Sequence, residues 1–186
     1  MKKLVAKIVS IPLKWIFKIR YFGKVKFGKR IYINHRFKFQ GKGKLFIGND
    51  VNLWAHEEWN RFQTFDKNAV IKIGDGCRLN GATIQSKKSV VVGKNCLIGS
   101  AMIIDTDFHS TDYRHRNDPK FIESKSIVIG DDVWVAGQSA ILKGVHIGDR
   151  SVIGFKSLVT KDIPKDVVAA GNPATVVKNL KYAKRM

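Results

Sequence analysis

Acidic residues are missing from the start of this chain: none precedes Asp50, although Lys and Arg recur from Lys2 to Lys44. Cysteine is scarce as well. Two in 186 residues cannot build a disulfide scaffold, and they fit a reducing compartment or a structural role. Proline is scarce at 4 beside 16 glycines, which excludes proline-rich and collagen-like architectures. Lysines interrupt every apolar run of the N-terminal region before the roughly 18 residues that a membrane span needs. The apolar runs are short and no small-residue cleavage site follows them, so a secretory signal is not expected.

What is present is core material and positive charge. A hydrophobic content of 44% suffices for the core of one domain and excludes wholesale disorder. The net charge of +19, from 34 Lys and Arg against 15 Asp and Glu, implies an anionic partner. Nucleic acid, a membrane surface and a phosphorylated ligand all qualify on charge, but no nucleic-acid motif accompanies it. The cations divide the chain into a strongly basic arm over residues 1–22, a mildly basic body over 23–178 and a short basic tail over 179–186.

Residues 2–21 read as a helix. Lys3, Lys7, Lys14 and Lys18 fall on one side at 3.6 residues per turn, and the rest of the surface is apolar, with Trp15 and Phe17 in it. Pro12 is expected to break or kink the helix. A lysine stripe on an otherwise apolar helix suits an anionic leaflet, and packing against a neighbouring subunit is the alternative. Beyond it Val25, Phe27, Ile31, Ile33, Phe37 and Phe39 alternate with Lys and Arg. That is strand periodicity with one basic face, leading into the body.

The body carries a period that belongs to neither a helix nor a simple strand. Ile129, Val135, Ile141, Ile147, Ile153 and Val159 stand six residues apart. Four places after each of the first five comes a small or β-branched residue: Val133, Ser139, Val145, Ser151 and Ser157. The same beat appears in Ile47 and Leu53, in Ile73 and Leu79, and in Val92, Ile98 and Ile104. A six-residue period fits a triangular coil with one aliphatic per side pointing to the axis and the small residue turning the corner. Stacked coils then bury a continuous aliphatic column, a parallel β-helix. Cys77 and Cys96, four places past Ile73 and Val92, occupy the corner position and read as core residues. The beat stops at Ile104 and resumes at Ile127–Ile129, leaving a polar loop over 105–126. A polar insertion of that length in a solenoid is a functional candidate.

The loop opens with Ile103-Ile104-Asp105-Thr106-Asp107-Phe108-His109. After it come Ile127-Val128-Ile129-Gly130-Asp131-Asp132-Val133-Trp134-Val135, Ile141-Leu142-Lys143-Gly144-Val145-His146-Ile147-Gly148, Val159-Thr160-Lys161-Asp162-Ile163-Pro164 and Ala169-Ala170-Gly171-Asn172-Pro173-Ala174. From about Ile71 to Lys178 the chain resembles the hexapeptide-repeat sugar O-acetyltransferases of the maltose/galactoside and capsule/lipopolysaccharide type. The resemblance implies a mainly β fold, a left-handed parallel β-helix assembled as a homotrimer, with acetyl-CoA as donor substrate in a groove between subunits. It implies that His109 is the general base on a hydroxyl of a sugar or lipid-linked sugar acceptor, with Asp105 or Asp107 orienting its ring.

On the same resemblance the main chain at Gly137 and Phe155 meets the pantetheine arm. Thr160 and Lys161 lie near the nucleotide end, Lys178 near the 3′-phosphate, and Trp134 lines the groove or packs beneath it. No metal is expected. Asn80 and the segment Trp54–Arg61 are candidate acceptor contacts. Two departures bear on the channel: Trp134-Val135-Ala136-Gly137 offers no hydroxyl at its end, and Phe155 stands where the family usually has alanine. The expected location is the cytoplasm, with peripheral contact at the inner face of the cytoplasmic membrane. A β-helix scaffold without activity and a γ-type carbonic anhydrase are the competing readings. The second needs three zinc histidines across two subunits. His35, His56, His115 and His146 read as bystanders.

Overall fold

The computed structural model describes residues 2–182, with side chains from Val5 to Tyr182; Lys3 of the lysine stripe and residues 183–186 of the basic tail lie outside the described side chains. The six-residue beat becomes a three-walled coil. The first wall stacks Val25–Phe27, Lys44–Ile47, Val70–Ile73, Ser89–Val92, Ile127–Ile129 and His146–Ile147. The second stacks Tyr32–Ile33, Asn52–Leu53, Arg78–Leu79, Leu97–Ile98, Trp134–Val135, Val152–Ile153 and Val167–Gly171, and Ala174–Asn179 closes it as an antiparallel partner. The third stacks Phe37–Gly41, Asn60–Thr64, Thr83–Ser86, Met102–Ile104, Ala140–Ile141 and Leu158–Val159. Every other pairing between these strands is parallel, which makes six coils and part of a seventh.

Inward residues align from coil to coil. On the first wall Ile47 lies beside Ile73, Ile73 beside Val92, Val92 beside Ile129 and Ile129 beside Ile147. The column is fully desolvated, and Cys77 and Cys96 belong to it as expected. Each thiol donates to a carbonyl of the next coil, Cys77 to Gly93 and Cys96 to Gly130, and the neighbouring Cys77 together with burial pushes the Cys96 thiol up. One register expectation is corrected. The inward residue of the fourth coil is Ile103, paired with Ile141, while Ile104 is half-buried. The corner after Ile98 is one residue shorter than the corresponding corner after Val135, so the beat slips by one.

The corners explain the recurrent glycine after the aliphatic. A Cβ on Gly74 would lie 2.3 Å from the Gly93 carbonyl oxygen, and one on Gly93 would lie 2.6 Å from the Gly130 carbonyl carbon. Only a hydrogen fits at this close approach. Beside these glycines, Asp131 Oδ1 accepts from the Lys94 amide at 2.7 Å and Asp149 Oδ1 from the Asp131 amide at 2.9 Å. Asp131 follows Gly130 and Asp149 follows Gly148, and each ties its coil to the previous one and satisfies an amide that the turn leaves free.

α1 runs unbroken over Lys2–Arg20, so the expected break at Pro12 does not occur. Pro12 is on the exposed side, where the carbonyl that it leaves without a donor can meet water. The helix also has a third face that the lysine pattern concealed. Ser10 and Phe17 are buried and Leu13 packs on the core. Ser10 Oγ accepts from the Ile33 amide at 2.8 Å, and the Phe17 and Phe37 rings meet at 5.0 Å between centroids. α1 therefore lies across the open N-terminal end of the coil as a lid on its own chain.

Candidate active site

The loop leaves the third wall after Ile104 and returns to the first wall at Ile127. Its neck is zipped by main-chain bonds: the Asp107 amide donates to the Glu123 carbonyl at 3.0 Å and the Lys125 amide to the Asp105 carbonyl at 2.9 Å. Within it, Asp112 and Asp118 accept from the Arg114 and Lys120 amides and start two short turns, Tyr113–His115 and Pro119–Phe121. The His115 ring stacks on Phe121 at 4.0 Å between centroids, and the Phe108 ring meets Phe65 edge-on at 5.2 Å. Phe65 follows the second strand of the third wall, whereas the loop grows from the fourth. The loop therefore folds back toward the N-terminal end along one edge of the prism.

His109 stands exposed on this loop. Its Nδ1 lies 3.1 Å from Asn117 Oδ1. An amide oxygen can only accept, so in the neutral ring this pairing puts the hydrogen on Nδ1 and leaves the lone pair on Nε2. That is the tautomer a general base needs, held by a residue that sequence reasoning did not single out. The signal was weak: Asn117 lies eight residues from His109 in a loop with no period.

The two carboxylates nominated as orienting groups have other partners. Asp105 is fully buried, and it accepts from Ser86 Oγ at 2.7 Å, from the Lys87 amide at 2.6 Å and from the Lys88 amide at 2.9 Å. It closes the turn of the coil below, and its oxygens are committed there rather than to the His109 ring. Asp107 pairs with Lys143 Nζ at 2.8 Å, and Lys143 reaches Glu123 at 3.3 Å. The Asp107 carboxylate holds Lys143 above the ordinary lysine range, so it stays charged, while Lys125 and Lys143 hold the Glu123 carboxyl below its own. Lys143 is a second residue missed from the sequence. It comes from the coil beyond the loop and fastens both strands of the neck. Asp107, Glu123 and Lys143 also wall a cleft of about 440 Å³ with Thr111, Lys120, Phe121 and Ile122; His109 does not line it.

The nominated donor-side residues are all on the surface. Trp134 is half-exposed on the second wall, between Leu97 and Val152. Gly137 lies at the edge between the second and third walls, one coil before Phe155, and a Cβ there would touch the Phe155 ring at 3.7 Å. Phe155 itself is 61% exposed, so its bulk leans over Gly137 instead of filling the core. Thr160 and Lys161 are exposed at the other edge, between the third and first walls, two coils beyond the loop. Lys178 is exposed on the closing antiparallel strand. Asn80 is at the same edge as Gly137, and its Oδ1 accepts from the His56 amide at 3.0 Å. The candidates thus fall on two different edges of the prism. His109, Thr160 and Lys161 share one; Asn80, Gly137 and Phe155 share the other. Among the described residues no three His, Cys, Asp or Glu side chains converge as a metal ion would need.

Comparison with known proteins agrees with this architecture. Residues 126–161 match the family described as bacterial transferase hexapeptide (six repeats). The chain is 32% identical over 156 residues, 76% of its length and 79% of the relative's, to WbbJ of Escherichia coli, named as a lipopolysaccharide biosynthesis O-acetyl transferase. It is 40% identical over 98 residues to a galactoside O-acetyltransferase of Escherichia coli; the match takes in 53% of this chain and spans about half of that relative, 48%. Among solved structures, a hexapeptide-repeat containing acetyltransferase of Vibrio cholerae is 27% identical with a TM-score of 0.64, over 97% of this chain and 87% of that one.

Proposed function

The chain belongs to the hexapeptide-repeat bacterial transferases, and on that premise we propose that it moves an acetyl group from acetyl-CoA to a sugar hydroxyl. The acceptor is part of a surface polysaccharide or lipopolysaccharide, or its lipid-linked precursor, as the names of the relatives suggest. The reading rests on one observation: His109 presents Nε2 free on a protruding loop while Asn117 holds Nδ1. A sugar hydroxyl is a weak nucleophile at neutral pH. His109 Nε2 takes its proton as the oxygen attacks the thioester carbonyl. The C–S bond breaks, the acetyl group stays on the sugar oxygen, and the imidazolium returns the proton to the departing thiolate.

The donor's phosphates carry the negative charge that Lys161 and Lys178 would meet, and the main chain at Gly137 and Phe155 would meet its amide-bearing arm. Trp134 would flank that arm, and Thr160 the nucleotide end. Because the candidate residues divide between two edges of one prism, a second copy is needed to bring one edge to the other. This supports a homotrimer with each site shared by two chains. An acetyl-CoA donor supports a cytoplasmic location.

Replacing His109 by alanine tests the reading. General-base assistance is worth roughly 10²–10⁴-fold, so turnover of acetyl-CoA with a sugar acceptor should fall by that factor while acetyl-CoA binding persists. Near-normal turnover would remove His109 from the chemistry. Lost acetyl-CoA binding would move it to the donor side.

A further inference from the structure

The outer face of α1 takes no part in the site described above. The lid closes the coil with Ser10, Leu13 and Phe17, spaced three and four apart. On the opposite side stand Ile8, Ile11, Trp15, Ile16 and Ile19, and Phe22 follows just beyond the helix. Ile8 is 60% exposed, Ile19 74% and Phe22 85%. At 100° per residue these side chains cover nearly half the circumference. Lys7, Lys14 and Lys18 border the band on one side and Arg20 on the other, and Lys18 Nζ lies 5.0 Å from the Trp15 ring. Lys24, Lys26 and Lys29 of the first coil are exposed close by. No acidic residue precedes Asp50 to offset them.

An apolar band bordered by cations is complementary to the boundary of an anionic bilayer, where acyl chains receive the band and headgroup phosphates the ammonium groups. A second copy of the chain fits poorly. Packing two such bands together would bring both sets of lysines toward one another with no acid between them. We propose that α1 is a membrane-docking lid, which stands the β-helix on its N-terminal end against an anionic lipid surface.

This placement sets the height of the site. Stacked strands are about 4.8 Å apart. The loop leaves the fourth strand of the third wall, and Phe108 folds back to Phe65 after the second. His109 therefore stands roughly 5–15 Å beyond the first coil, with the helix, about 10 Å thick, below that. Resting on the acetyl-transfer reading, this makes the acceptor a lipid-linked glycan with its target hydroxyl a few sugars from the lipid.

The test uses the full chain and vesicles of phosphatidylcholine with and without phosphatidylglycerol. Wild-type protein should co-sediment with the anionic vesicles, Trp15 should enter a less polar environment, and high salt should weaken the binding without ending it, because apolar insertion is unscreened. K7Q/K14Q/K18Q should weaken partition on the order of a hundred-fold. Ile8→Gln with Ile19→Gln should abolish the salt-resistant part. All five side chains lie off the capping face, so thermal melting should be unchanged. Full-length protein that ignores anionic vesicles overturns the proposal, as do variants that bind like wild type. Association of wild-type protein in solution that Ile8→Gln with Ile19→Gln disperses, with no vesicle binding, would assign the face to a second copy. Vesicle binding is read without turnover, so its failure and a failure of acetyl transfer are distinguishable. Acetylation of a water-soluble sugar should be equal in all these variants.

Discussion

A histidine can serve as base only through the nitrogen that it presents, and here a single amide oxygen decides which one that is. Asn117→Ala should free the ring to adopt either tautomer and lower kcat about ten-fold, with little change in the KM for acetyl-CoA. Asn117→Asp separates orientation from mere packing. A carboxylate facing Nδ1 stabilises the imidazolium more than an amide oxygen does. The acid limb of the pH–rate profile should therefore move to higher pH. An unmoved profile would sink the role of Asn117. Asp107→Asn, by contrast, should loosen the neck at Lys143 and leave that limb where it was. His109 could be nominated from the sequence because it ends a contiguous motif. Asn117 and Lys143 could not, because their partners come from a loop without periodicity and from the next coil.

Among the elements, the stacked corners hold the coils in register. Gly93→Ala places a methyl group 2.6 Å from the Gly130 carbonyl, in backbone that cannot yield cheaply. It should cost about 1–3 kcal/mol, read as a lowered midpoint in chemical denaturation. Asn60 is the second such device. It is fully buried; its Nδ2 donates to the carbonyls of Leu53 and Leu79, and its Oδ1 accepts from the amides of Gly81 and Ala82. Asn60→Ala orphans all four groups and should cost about 3 kcal/mol or more. A loss no larger than that of an exposed substitution would show that water replaces the side chain. The six-residue beat made the coils readable, since one aliphatic per wall is a sequence-local requirement. Asn60 had no such signature, because its partners lie on three different strand ends.

For the whole molecule, the separation of candidate residues onto two edges is the governing fact. Lys161→Glu and Lys178→Glu should each raise the KM for acetyl-CoA about five-fold while leaving that of the acceptor in place, at roughly 1 kcal/mol per exposed phosphate contact. A change confined to the acceptor would move both lysines off the donor. The amino-acid sequence by itself determined the β-helix, its interrupted coil and the basic arm and nominated the histidine of the loop, because each is written in local periodicity or contiguous motif. Only the tertiary structure decided that α1 caps its own coil with a third face, that Asp105 closes the turn below, that Lys143 fastens the neck and that Asn117 faces His109. Those are pairings between residues distant in the chain. Periodicity says which side of an element turns inward, but the partner that a polar group finds depends on how coils and loop stack in space.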